Sequence, residues 1–131
     1  MRSFIFTLLS TFIIGFAQIF NVKPYLQNVT PTSIHIMWET SGGDENVVHW
    51  GETETLGNET TGESFSNVGD YKIHDVQLTN LSPNTRYFYK AVTSPLESEI
   101  YEFVTPTETG LDASLRLVAM SDMQKDWGNF N

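Results

Sequence analysis

Apolar and polar side chains alternate along several short stretches of this chain, and this alternation limits the possible folds more than any other feature. In the clearest stretch, 33–40, every second residue is apolar: Ile34, Ile36 and Trp38. A period of two is typical of a half-buried strand and does not fit the spacing of a helix. Comparable runs occur at 47–50, 75–79, 86–92 and 100–104. The pattern therefore predicts a series of short β-strands, with no helix among them, between residues 20 and 106.

Turn-forming residues separate these runs and suggest how the strands are arranged. Gly, Asn, Asp, Ser and Pro concentrate at 41–44, 57–58 and 82–84. Each predicted strand has one apolar face, which has to be buried against a second layer. With 40% hydrophobic and 13% aromatic residues, the chain can fill one such core. We predict an all-β fold of the immunoglobulin type, a sandwich of two antiparallel sheets.

The first 17 residues have the layout of an export signal. Arg2 precedes an apolar run over 4–14, and Gly15 and Ala17 are small residues at the positions that a signal peptidase reads. The run is shorter than the roughly 20 residues that a membrane-spanning helix needs. We expect a signal peptide over residues 1–17 and a mature chain that does not span a membrane. The expected location is secreted, periplasmic or otherwise extracellular.

Charge and cysteine content exclude further classes of function. The chain has 16 acidic and 7 basic residues, which gives a formal charge of −9. Phosphate backbones repel such a chain, and no basic stripe is present, so we expect no nucleic-acid partner. There is no Cys, so neither a disulfide framework nor a thiolate metal site is expected.

A turn that leads into a tyrosine-bearing strand narrows the fold class. The turn at 82–84 precedes Tyr87, as in the tyrosine corner of immunoglobulin-like sandwiches. With Trp38 and the closing run at 103–106, residues 22–106 resemble a fibronectin type III domain. The motifs within it are also similar to the N-terminal domain of the purple acid phosphatases, at 23–27, 48–51 and 74–78. The resemblance implies one fibronectin type III-like domain over residues 18–106.

The pattern changes after this domain. Residues 107–114 are polar, as expected of a linker, whereas 115–120 are nearly all apolar, as in a strand covered on both faces of an α/β sheet. The run is followed by Asp122 and Gln124. Ligands of α/β sheets bind at the carboxyl ends of strands, and a carboxylate is a good ligand for a hard metal ion. Taken alone, an Asp that follows an apolar strand in this way is more often a helix N-cap than a metal ligand.

This second segment resembles the first strand of the calcineurin-like metallophosphoesterases, a group that includes the purple acid phosphatases. The resemblance implies that residues 115–131 begin an α/β metallophosphoesterase domain, which is incomplete in this sequence, and that Asp122 is a ligand of the first metal. Gln124 stands where the family has His or Gly, so we expect it to be a weak ligand. The family hydrolyses phosphate monoesters with a dinuclear Fe, Zn or Mn centre.

Two functions remain open. In the first, the chain is the N-terminal fragment of a secreted phosphatase, whose partners are the rest of the catalytic domain and a phosphate ester. No His follows His74, so this fragment is expected to be inactive and to bind no metal itself. In the second, it is a stand-alone secreted binding or spacer module with an ordinary tail. The apolar strand at 115–120 has no place in a complete type III domain, which favours the first function.

The other residues that could bind a metal or take part in catalysis have structural explanations. We expect His35 and His49 on the outward, solvated faces of their strands, and His74 packed or hydrogen-bonded near the start of a strand. The Gly-Asp-Tyr sequence at 69–71 resembles the family's second metal motif, but it precedes the first one and is expected to be a loop. Four large aromatic residues are expected in the core: Trp38, Trp50, Tyr87 and Tyr89.

Overall fold

The computed structural model describes residues 18–108 and Gly110. These residues form nine β-strands, all of which pair antiparallel. In chain order, β1 to β9 are Phe20–Gln27, Ile34–Thr40, Val47–Gly51, Asn58–Thr61, Glu63–Ser66, Lys72–Leu78, Arg86–Thr93, Leu96–Glu97 and Tyr101–Val104. The all-β prediction is confirmed.

The strands form two sheets. The first, called here the β2–β6 sheet, has the order β1-β2-β6-β5. The second, the β3–β7 sheet, has the order β4-β3-β7, and both β8 and β9 pair with the far side of β7. Strands β4 and β5 follow each other in sequence but belong to different sheets, so the chain crosses between the layers at Gly62. Two sheets connected in this way are the predicted sandwich.

The register of β2 against β6 explains why alternation identified the core. Ile36 lies opposite Val76, and Trp38 lies opposite His74. Because successive side chains point to opposite faces of a sheet, these pairs place one side-chain row of each strand on the inner face. All four of these residues are fully buried. The period-two pattern therefore reports burial on one face, as predicted.

The β3–β7 sheet provides the opposite wall of the core, which is rich in aromatic residues. Tyr87 and Tyr89 are each only 3% exposed. The ring of Tyr87 lies 5.7 Å from that of Trp50 and 5.6 Å from that of Phe103. These separations are within the range in which aromatic pairs attract each other. The predicted core positions of Trp38, Tyr87 and Tyr89 are confirmed, and Trp50 packs partly buried against them.

Four strands do not follow from the sequence pattern: β1, β4, β5 and β8. Residues 58–66 are mostly polar and show no apolar alternation, and the predicted turn at 57–58 is only partly correct because Asn58 begins β4. Strands β4 and β5 lie at sheet edges, where both faces of a strand are exposed. An edge strand has little apolar area to bury, so it carries no periodic signal.

Candidate functional site

The sequence-predicted metal ligands do not lie in the described part of the chain. Asp122, Gln124 and the strand at 115–120 are outside it, as is the signal peptide at 1–17. These assignments stay predictions. Within residues 18–108, no three His, Cys, Asp or Glu side chains are grouped so that they could hold a metal ion.

His74 is the least exposed titratable residue among those that the structure describes. Its ring is completely buried and stacks on Trp38, with 5.0 Å between the centroids and 11° between the planes. Nδ1 lies 2.5 Å from Oδ1 of Asn46, and Nε2 lies 2.7 Å from the hydroxyl of Thr40. Both ring nitrogens therefore have hydrogen-bond partners, as expected of a packed histidine.

Burial keeps the His74 ring neutral at neutral pH. Desolvation, with a smaller effect from the nearby Lys72 ammonium, lowers the pKa of His74 to about 4 from 6.5. In the neutral ring, Nδ1 donates its proton to the amide oxygen of Asn46, and Nε2 accepts from Thr40. A metal ion would have to displace one of these partners inside a closed core. His74 is thus part of the packing of the sandwich.

The other two histidines lie on outward faces, but each pairs with a carboxylate. Nδ1 of His35 is 2.8 Å from Oδ1 of Asp75, and the two side chains are about one quarter exposed. Nδ1 of His49 is 3.6 Å from Oε2 of Glu59. The outward placement is confirmed, although His35 is more enclosed than a freely solvated residue.

The tyrosine corner is present, and it connects to the point at which the chain leaves the sandwich. The backbone N–H of Ser82 donates to the Tyr87 hydroxyl over 2.9 Å. The hydroxyl of Thr105, a fully buried residue, donates to the carbonyl of Ser82 over 2.6 Å and accepts from the N–H of Thr85 over 2.9 Å. The turn at 82–85 is therefore hydrogen-bonded both to Tyr87 on β7 and to Thr105, which follows β9.

Two further backbone bonds complete this arrangement, which we call the exit clamp (Ser82, Asn84, Thr85, Thr105 and Pro106). Thr105 donates its N–H to Thr85 over 3.0 Å, and Asn84 donates to the carbonyl of Pro106 over the same distance. The hydrogen bonds fix the position and direction of the chain up to Pro106. Whatever follows this residue starts from a rigid point.

An apolar groove lies beside the exit clamp. It encloses about 280 Å³ at the end of the sandwich, and its floor and rim include Ile34, Phe103 and Val104. Val104 directly precedes the clamp residue Thr105. Three side chains of this end groove are more than a third exposed: Leu26, Val29 and Val104. A small apolar surface thus lies beside the exit clamp.

No helix within the described residues is long and apolar enough to cross a membrane. The fold is similar to that of the sensor domain of the anti-sigma factor RsgI4 from Pseudobacteroides cellulosolvens. The long version of that domain superposes with a TM-score of 0.54 at 17% identity, covering 75% of this chain and 100% of the sensor chain. The short version gives 0.50 at 17% identity, with 70% and 95% covered. This similarity shows the fold alone.

Sequence comparison identifies the family. The chain matches none of the curated proteins with which it was compared. The family model described as "Purple acid Phosphatase, N-terminal domain" matches residues 19–105, which is nearly the whole described sandwich. The match includes Trp38, Tyr87 and the exit clamp up to Thr105. The chain therefore belongs to the family of purple acid phosphatase N-terminal domains.

Proposed function

We propose that this chain is the N-terminal part of an exported purple acid phosphatase-like metallophosphoesterase. In this proposal residues 18–106 are a non-catalytic sandwich, and a second domain that begins at residue 115 hydrolyses phosphate monoesters. The family match over residues 19–105 is the observation that carries the proposal. The signal-like segment at 1–17 supports export, because it precedes the sandwich directly.

The exit clamp and the end groove support a role for the sandwich in the proposed enzyme. The clamp holds the chain through Thr105 and Pro106, so a short linker would start from a fixed point. The end groove leaves Val29 and Val104 about half exposed beside that point. Burying them against a second domain stabilises the contact by roughly 25 cal/mol per Å² of apolar area. The sandwich would then set the orientation of the catalytic domain.

The chemistry would belong to the second domain. Two metal ions of the Fe, Zn or Mn type would lower the pKa of a bound water and clamp the phosphate during an in-line displacement. Asp122 would be a ligand of the first ion and Gln124 a weak ligand beside it. The remaining ligands would come from the rest of the catalytic domain, since residues 1–131 contain no Asn-His or His-x-His pair. The sandwich itself supplies no ligand in this scheme.

An antiserum raised against residues 18–106 tests the proposal. Applied to the secreted and cell-bound fractions of the source organism, it should detect a protein much larger than 131 residues, outside the cytoplasm. This protein should release phosphate from an aryl phosphate and lose that activity when a chelator removes its metals.

The purified 131-residue chain, supplied with zinc, iron or manganese, is the matched control and should release no phosphate. Metal-dependent turnover by this chain would contradict the assignment of the chemistry to a second domain. Detection of only a protein of 131 residues or fewer would instead support a stand-alone secreted module.

A further inference from the structure

A second concave site lies on the outer face of the β2–β6 sheet, along the edge strand β5. Its volume is about 280 Å³, just below the roughly 300–1,000 Å³ that is typical of ligand pockets. We call it the β5 groove. Besides Gly62, six residues line it: His35, Thr61, Glu63, Phe65, Asp75 and Gln77.

Two carboxylates face each other across this groove. Glu63 on β5 is the direct cross-strand partner of Asp75 on β6. Like charges in this position repel each other and destabilise a sheet. His35 approaches Asp75 from β2, but Glu63 forms no ion pair within the described residues, and no Lys or Arg lines the groove. Asp75 is therefore paired with His35, whereas the negative charge of Glu63 has no ion-pair partner among the described residues.

An aromatic ring stands beside these carboxylates. Phe65 is two residues after Glu63 on β5, so both side chains lie on the same face of the sheet. The Phe65 side chain is 52% exposed. Exposure of so large an apolar side chain is unfavourable in water. Phe65 and the carboxylate pair are thus two unfavourable features in one small groove.

One kind of ligand would relieve both the repulsion between Glu63 and Asp75 and the exposure of Phe65. We propose that the β5 groove binds an arginine side chain presented by a partner peptide, with the guanidinium between the carboxylates of Glu63 and Asp75 and its flat face on the ring of Phe65. A guanidinium offers five N–H donors in a planar fork that matches carboxylates, and it stacks on aromatic rings. The formal charge of −9 on the chain also attracts a basic partner. This binding site is independent of the proposed phosphatase function.

Titration of the isotopically labelled chain with N-acetyl-arginine amide, followed by NMR, tests the proposal. We expect saturable shifts at Glu63, Phe65 and Asp75, with a dissociation constant on the order of 1–10 mM for so small a ligand. Added salt should weaken the binding. The neutral isostere N-acetyl-citrulline amide should produce no saturable shifts at these residues.

Substitutions separate a binding role from a structural one. Glu63→Gln should weaken arginine binding by about five-fold, because one charge-assisted contact is lost. The same change should raise the melting temperature by about 1–5 °C, because it removes the repulsion from Asp75. Glu52→Gln removes an equal charge from an exposed position outside the groove and should leave the dissociation constant unchanged.

Three results would overturn the proposal. They are equal binding of the citrulline compound, saturable binding of an uncharged sugar but not of arginine, and unchanged arginine affinity in Glu63→Gln. A lower melting temperature in Glu63→Gln would show that this carboxylate stabilises the fold and would remove the argument from repulsion.

Discussion

His74 is completely buried on β6, at a position where the alternation of the strand places an apolar residue. Its ring stacks on Trp38, and its polar atoms are matched by Thr40 and Asn46. The Thr40 hydroxyl lies 2.7 Å from both His74 Nε2 and the carbonyl of Gly42, but it has one proton to donate. The neutral ring accepts that proton, whereas a charged ring would force it towards Gly42.

We predict that the stability of the sandwich depends on pH through His74. The folded pKa of about 4 lies below the unfolded value of 6.5, so the unfolded state binds more protons between these pH values. The stabilisation is fully present above pH 6.5 and is lost as the pH falls through 4, by about 3 kcal/mol in total. NMR titration of the ring should give this low pKa directly.

A variant isolates this contribution from those of the many carboxylates. The difference in unfolding free energy between the wild type and His74→Gln should shrink as the pH falls from 6.5 to 4, because glutamine does not titrate. A His74 ring that titrates at or above pH 6.5 would contradict the prediction.

Removal of the tyrosine-corner hydroxyl should destabilise the protein. Tyr87→Phe leaves the N–H of Ser82 without its partner, and we expect a loss of about 1–2 kcal/mol in the free energy of unfolding, measured by denaturant titration. Tyr71→Phe is the matched control, because Tyr71 is 39% exposed and should change stability by less than about 0.5 kcal/mol. Equal effects of the two substitutions would show that the corner bond contributes little.

At the scale of elements, the crossing from β4 to β5 depends on one glycine. Gly62 joins a strand of the β3–β7 sheet to a strand of the β2–β6 sheet, and its N–H donates to the carbonyl of Asn46 over 2.9 Å. A Cβ at this position would lie 2.0 Å from the carbonyl oxygen of Asp75 and 2.8 Å from the Cα of Val76. These are backbone atoms of the neighbouring strand, so they cannot move aside as a flexible side chain would.

Gly62→Ala should therefore separate β5 from β6 and cost about 2–4 kcal/mol in the free energy of unfolding. Gly57→Ala is the matched control, since a Cβ there meets nothing within 4 Å. Hydrogen exchange should locate the damage at the β5–β6 ladder in the first variant. A Gly62→Ala protein as stable as Gly57→Ala would show that the crossing has room to relax.

At the scale of the whole molecule, the segment that matches the family model contains every residue of the buried hydrophobic cluster. The cluster runs from Ile34 to Phe103, and within the described residues no buried polar side-chain atom lacks a hydrogen-bond partner. Both sheets contribute to one core, so the unit satisfies the requirements of an independent domain.

We predict that deletion of residues 107–131 leaves cooperative unfolding of the sandwich intact and improves its solubility. The deletion removes none of the core residues, but it removes the apolar run at 115–120, which promotes aggregation when it has no partner. Thermal unfolding and the concentration at which the protein stays monomeric check this. Loss of the cooperative transition would show that the removed segment belongs to the core.

The sequence alone determined most of the inner framework. Ile34, Ile36 and Trp38 identified β2 because alternation between adjacent residues is a local property of a strand, and local properties can be seen in one segment at a time. Tyr87 indicated the corner in the same way, because its partner lies only five residues away. The prediction of a metal site at Asp122 and Gln124 likewise rests on one strand-end pattern, and it stays a prediction.

Only the tertiary structure determined the edge strands and the sites. Strands β4 and β5 exist because they pair with β3 and β6, not because of their own residues. The exit clamp joins Thr105 to Ser82, and the β5 groove places Glu63 opposite Asp75. The clamp contact joins residues 23 positions apart in sequence, and all of these contacts depend on which strands pair and in what register, which local periodicity does not encode.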